Sequence, residues 1–126
     1  MLLPARYAVI CRMLLTLFIG LSLAVDTSAA TSSLTTNVRR VLVDDSNYGG
    51  CMAQFTDNPK STLTDCGNEW LTFDCFSAFP GNSKSAAQNK LSQAQLALVT
   101  GRKVYVKFTD TRKANGYCFA QRIDVQ

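Results

Sequence analysis

Four cysteines, Cys51, Cys66, Cys75 and Cys118, carry the widest chemical scope in this sequence. Cysteine thiols can hold zinc, cycle as a redox pair or lock as bridges. Zinc sites favour close Cys-x-x-Cys pairs, usually completed by histidine. Here the steps between successive cysteines are 15, 9 and 43 residues, and the chain contains no histidine. A thioredoxin-type pair needs the same close spacing. An even number of cysteines in a small exported chain reads as two disulfides. These residues are therefore expected to be staples, with no metal and no cofactor.

The export signal lies at the start. Arg6 and Arg12 precede the short apolar run Met13–Val25, and Ser28–Ala30 place small residues where a signal peptidase reads. That is the pattern of a secretory signal over residues 1–30. The run is too short to span a bilayer comfortably, so no membrane association is expected once it is removed. Cys11 leaves with it. The remaining chain has the length of one small domain. Its charges are scattered, which excludes a nucleic-acid arm or an acidic tail. The expected location is secreted or periplasmic.

Other residues offer little catalysis. Without histidine there is no ordinary acid–base relay at neutral pH, and no serine or threonine sits in a nucleophile motif. Asp44 and Asp45 read as the opening of a turn, and Asp44–Asn47 holds too few oxygens for a calcium loop. Asp65, Glu69 and Asp74 read as solvated surface. Arg102, Lys103, Tyr105, Lys107, Arg112 and Lys113 mix cations with an aromatic, as single-strand binders do. Export argues against that partner, so no nucleic acid is expected, and the chain reads as a non-enzyme.

Residues 31–37 are rich in Ser and Thr and read as a loose N-terminus. The folded domain is expected over 38–126. Val38–Asp45 is β-branched and reads as a strand, Ser46–Gly50 as a turn, and Cys51–Phe55 as the return strand of a hairpin. After a loop broken by Pro59, Glu69–Cys75 alternates as a third strand. Ser83–Gly101 reads as a helix, with Ala87, Leu91, Ala94 and Leu98 as one stripe. Asn82 or Ser83 can cap its start, and Gly101 can end it. Lys103–Phe108 and Tyr117–Val125 read as the last two strands, around a polar loop at Thr109–Gly116.

The expected fold is thus mainly β with one helix, in the order β-β-β-α-β-β. A five-stranded OB-like barrel has this order, and other α+β arrangements share it. In the barrel the second and third strands are antiparallel, so Cys51, opening one, meets Cys75, closing the other. The third and fifth strands run parallel, which brings Cys66 to Cys118. A bridge from Cys66 to Cys75 is disfavoured, because nine extended steps span about 30 Å against the roughly 6 Å of a disulfide.

One segment also resembles a known family. Asp74–Phe108 is similar to the B subunits of the subtilase cytotoxin and typhoid toxin group. It shares a cysteine closing the third strand (Cys75), a helix containing Gln93-Ala94 and ending in Thr100-Gly101, and an alternating strand at Val104–Phe108. The resemblance implies an OB-fold domain from a Gram-negative bacterium that forms a ring of five and binds glycans. The Cys66 and Cys118 pair departs from that family's second bridge. The tail Asn115–Val125 resembles small exported proteins of marine and enteric bacteria.

The function expected is an exported, non-catalytic binding module, glycan-binding and oligomeric like a toxin B subunit. The alternative is a monomeric periplasmic inhibitor or envelope protein that binds another protein. Tyr48, in a turn, and Trp70, on a half-buried strand, are the candidate ligand-stacking residues. Leu96 and Val99 lie away from the helix stripe on an uncharged face, which suits a subunit interface.

Overall fold

A computed structural model describes residues 30–126. The expected leader falls outside these residues except for Ala30. The elements are β1 (Thr31–Val43), β2 (Cys51–Phe55), β3 (Trp70–Thr72), α1 (Lys84–Thr100), β4 (Lys103–Ala114) and β5 (Tyr117–Val125). The five strands close into one barrel in the order β1-β2-β3-β5-β4. All neighbours are antiparallel except β3 and β5, which run parallel.

Residues 31–37 are not loose. They form the first half of β1 and pair with β4 from Thr31↔Thr109 to Asn37↔Lys103. Their hydroxyl-rich composition hides a period of two. Leu34, Thr36 and Val38 turn toward the core, with Thr36 and Val38 buried. The buried Thr36 hydroxyl has a partner, accepting from the Asp57 N–H at 3.0 Å. A register shift at Val38/Arg40 then bends the strand, and its second half pairs with β2. One long strand thus borders two neighbours, which helps close a sheet this small.

Phe55, Phe73, Phe108, Leu71, Val104 and Val106 are fully buried in the interior. The helix caps this plug from Ser83, whose hydroxyl accepts from the Ala86 N–H, to Gly101 in the left-handed conformation, both as expected. Its packing face differs from expectation. Ala87, Ala94 and Ala97 are buried, Leu91 is half-buried, and Leu98 is 36% exposed. At about 100° per residue, the face has rotated from the leucine side toward the alanine side. The aromatic plug leaves no depth for two leucines, and alanines let the helix approach closely.

β3 is shorter than expected. The ladder stops at Thr72, although the Phe73 N–H still donates to the Cys51 carbonyl at 3.0 Å. Asp74 then takes a left-handed φ of 57°, which ends the strand. β4 runs longer than expected, through the segment read as a loop. Asn115 and Gly116, both at positive φ, make the tight turn into β5.

The bridges are Cys51–Cys75 and Cys66–Cys118, with Cα separations of 5.5 and 5.1 Å. They follow the pairing that barrel topology requires. Beside the second, the Tyr117 ring approaches Gly67 closely, so that a Cβ there would lie 2.6 Å from the ring.

The rotated helix face sets an expectation opposite to the leucine stripe. Ala97→Leu should destabilise by about 1–3 kcal/mol through overpacking. Leu98→Ala should cost less than about 1 kcal/mol, since its side chain is already partly wet. Urea unfolding of both variants checks the ranking.

Candidate functional site

Three local irregularities converge on one place. The first is the loop Asp74–Asn82. Asp74 and Ser77 both hold φ of 57°, unusual for residues with a side chain. The Asp74 carboxylate organises the loop. One oxygen accepts from the Ala78 N–H at 2.9 Å, and the other from the Phe79 N–H at 2.8 Å. The Asn82 amide donates to that second oxygen at 3.1 Å and to the Phe73 and Asp74 carbonyls. Asp74 is fully buried, not the solvated acid its sequence neighbours suggest. Asp65 is exposed, and Glu69 instead accepts from Gln54 and faces Arg39.

The second irregularity is in β4. Thr109 pairs with Phe119 and Lys113 with Cys118, so residues 110–112 bulge out of the ladder. Bulges re-aim side chains. This one sends Arg112 across to the loop, where its guanidinium donates to the Pro80 carbonyl at 2.8 Å. The third is on α1. Lys90 sits at the edge of the helix's buried face, where an apolar residue is the usual choice. Its Nζ donates to Asn82 Oδ1 at 3.0 Å and to the Ala120 carbonyl at 2.9 Å. The same nitrogen lies 4.2 Å from the centroid of the Phe119 ring, and Arg112 lies 6.0 Å from it. Phe79 meets that ring edge-on at 5.2 Å.

Between these elements opens a cavity of about 260 Å³, lined by Gly81, Asn82, Ala86, Lys90, Arg112, Phe119 and Gln121. Burial pushes the Lys90 ammonium down to about 8, partly offset by the charge of Asp74. The lining contains amides, two cations and an aromatic floor. It contains no carboxylate, hydroxyl or thiol. Every buried side-chain nitrogen and oxygen among the described residues has a hydrogen-bond partner.

Neither aromatic singled out from sequence lines this cavity. Tyr48 is half-buried in a short 3-10 turn, edge-on to Tyr117 at 5.8 Å. Its carbonyl accepts from the Thr72 hydroxyl at 2.7 Å. Trp70 is half-buried on β3, opposite Gln54. Leu96 and Val99 are 49% and 85% exposed, and Leu98 joins their uncharged face. The cavity residues had one legible signal, a lysine at the margin of an otherwise apolar helix stripe. Arg112 was legible only as one of a set of cations read for nucleic acid, because nothing in Thr109–Gly116 marks the bulge that aims it here.

No family model, curated protein or solved structure matches the chain. Among the described residues no helix is long and apolar enough to cross a membrane.

Two expectations follow. Asn82→Leu removes the amide that serves Asp74, Phe73 and Lys90 together. It should destabilise by about 2–4 kcal/mol, because buried acceptors are left unmet; thermal unfolding at constant pH checks it. The second concerns pH. The denatured chain holds the Lys90 proton up to its ordinary 10.5, whereas the folded chain releases it near 8. Between those values the denatured state binds more protons, so this group makes stability rise with pH. Lys90→Met should lack that rise, and the difference in unfolding free energy between the two proteins at pH 7 and pH 9.5 measures it.

Proposed function

We propose that this chain is an exported, non-catalytic binding module of the OB type, and that the cavity beside Lys90 receives a glycan. One observation carries the reading. A strained loop, a three-residue bulge and a core-side lysine, each locally unfavourable, meet only at this cavity. Strain of that kind clusters where function requires it. Amide and guanidinium donors around an aromatic floor suit vicinal hydroxyls and ring oxygens. The lining offers no nucleophile beyond Lys90, whose nitrogen is already committed to two carbonyl oxygens. Two disulfides and the leader expected from sequence support a secreted or periplasmic location. The resemblance to toxin B subunits supports the same reading and adds self-association.

The exposed Leu96, Leu98 and Val99 favour that second element, because a lone domain would normally place charge there. The competing reading is a monomer whose helix face binds another protein.

Two measurements separate them. On a glycan array the wild type should bind a defined subset, and Gln121→Ala, at the exposed rim of the cavity, should weaken that signal. Light scattering across micromolar concentrations should show a mass above one chain, lowered by Leu96→Lys with the barrel intact. A blank array would remove the glycan reading. A mass fixed at one chain would remove self-association and leave the monomeric binder.

A further inference from the structure

The cavity has an electrostatic character that a binding site for neutral sugars does not require. Lys90 and Arg112 both lie within 6.0 Å of the centroid of one ring, that of Phe119. Like charges gathered around one small space repel unless something answers them. Among the described residues neither has a carboxylate at ion-pair distance; the two ion pairs found are Arg39–Glu69 and Arg122–Asp124. Their protein partners are neutral oxygens: Asn82 and Ala120 for Lys90, Pro80 for Arg112.

The acid whose charge acts on Lys90 is Asp74, and it does not line the cavity. Its two oxygens are held by the Ala78 and Phe79 N–H groups and the Asn82 amide, and the residue is fully buried. It therefore offsets part of the Lys90 charge from behind without occupying the cavity. β4 carries Asp110 in the same bulge as Arg112, but Asp110 does not line the cavity and makes no ion pair among the described residues. β5 contributes Phe119 and Gln121, and the first turn of α1 contains no acid and begins with Lys84. Donors remain unspent as well. Lys90 has three N–H groups and uses two on carbonyl oxygens; Arg112 has five and uses one.

We infer that the cavity binds an anionic group, a carboxylate, sulfate or phosphate carried by a small ligand, between Lys90 and Arg112. The inference rests on the cavity being the ligand site but not on the ligand being a sugar. A volume of about 260 Å³ is just below the usual range of ligand sites and suits one charged unit, free or at the end of a longer molecule. Arg112 presents the planar fork that carboxylate and oxoanion pairs use, and Lys90 supplies a point charge opposite it.

The test is an NMR titration of the full mature protein with sodium sulfate, inorganic phosphate, glucuronate and methyl glucoside, at constant ionic strength set by chloride. Sulfate, phosphate or glucuronate should shift the Arg112 Nε–H and the Gln121 side-chain amide, and methyl glucoside should not. Arg112→Gln should weaken the anion by about tenfold or more. Raising the pH through about 8 should weaken it in the wild type as Lys90 loses its charge, with Arg112 still protonated. Lys90→Met, if it folds, should abolish that pH dependence, and Arg112→Gln keeps the test open if it does not. Equal binding of methyl glucoside and glucuronate in the cavity would overturn the inference and leave the glycan reading standing. Anion binding with a blank glycan array would do the reverse. No shift at Arg112 or Gln121 with any anion would overturn the inference outright.

Discussion

The seam between β3 and β5 is the weakest point of the barrel, and the rest of the structure depends on its closure. β3 is three residues long and meets β5 in a single register pair, Thr72↔Phe119. Parallel pairing this short cannot hold a barrel shut by backbone hydrogen bonds alone. One disulfide crosses this seam, and the other ties the far end of β3 to its opposite neighbour. Cys66, before β3, is tied to Cys118 on β5, and Cys75, after β3, is tied back to Cys51 on β2. Bridges of this kind typically contribute about 2–4 kcal/mol each, chiefly by restricting the denatured chain. Here they also fix both ends of the shortest strand.

That closure positions the cavity. Cys75 follows Asp74 directly, so the Cys51–Cys75 bridge anchors the residue whose carboxylate shapes the loop. Cys118 precedes Phe119, so the other bridge anchors the ring that forms the cavity floor. Thr72 joins the two, since its hydroxyl donates to the Tyr48 carbonyl and accepts from the Asp74 N–H at 3.1 Å. A Cβ on Gly49 would lie 2.4 Å from that hydroxyl oxygen, which is why the turn needs glycine there. Lys90 and Arg112 then reach in from elements that the seam itself orders.

Much of this frame was legible in the sequence. Alternation at Lys103–Phe108 and Tyr117–Val125 and the capped helix gave the element order, and the bridge partners followed once that order was read as an OB-like barrel. The misreadings have physical causes. Thr31–Asn37 looked disordered because serine and threonine dominate, yet threonine is a good strand residue and only alternate positions needed to be apolar. Leu98 outranked Ala97 by hydrophobicity, but the aromatic interior favoured the smaller side chain. Asp74 looked like surface because a buried acid depends on donors four and five residues ahead, which no local pattern announces. The bulge that aims Arg112 arises from the mismatch between β4 and β5 and is a tertiary property.

Native-state amide exchange tests the central claim, that covalent anchoring of the ends of β3 holds the loop which shapes the cavity. The amides of Ala78 and Phe79, which donate to the Asp74 carboxylate, report the loop directly. Those of Val104 and Val106 report the barrel wall remote from it. In a Cys51→Ala, Cys75→Ala double variant Ala78 and Phe79 should lose protection while Val104 and Val106 keep most of theirs. Unchanged protection at Ala78 and Phe79 would contradict it, and would mean that the loop holds its shape without the bridge.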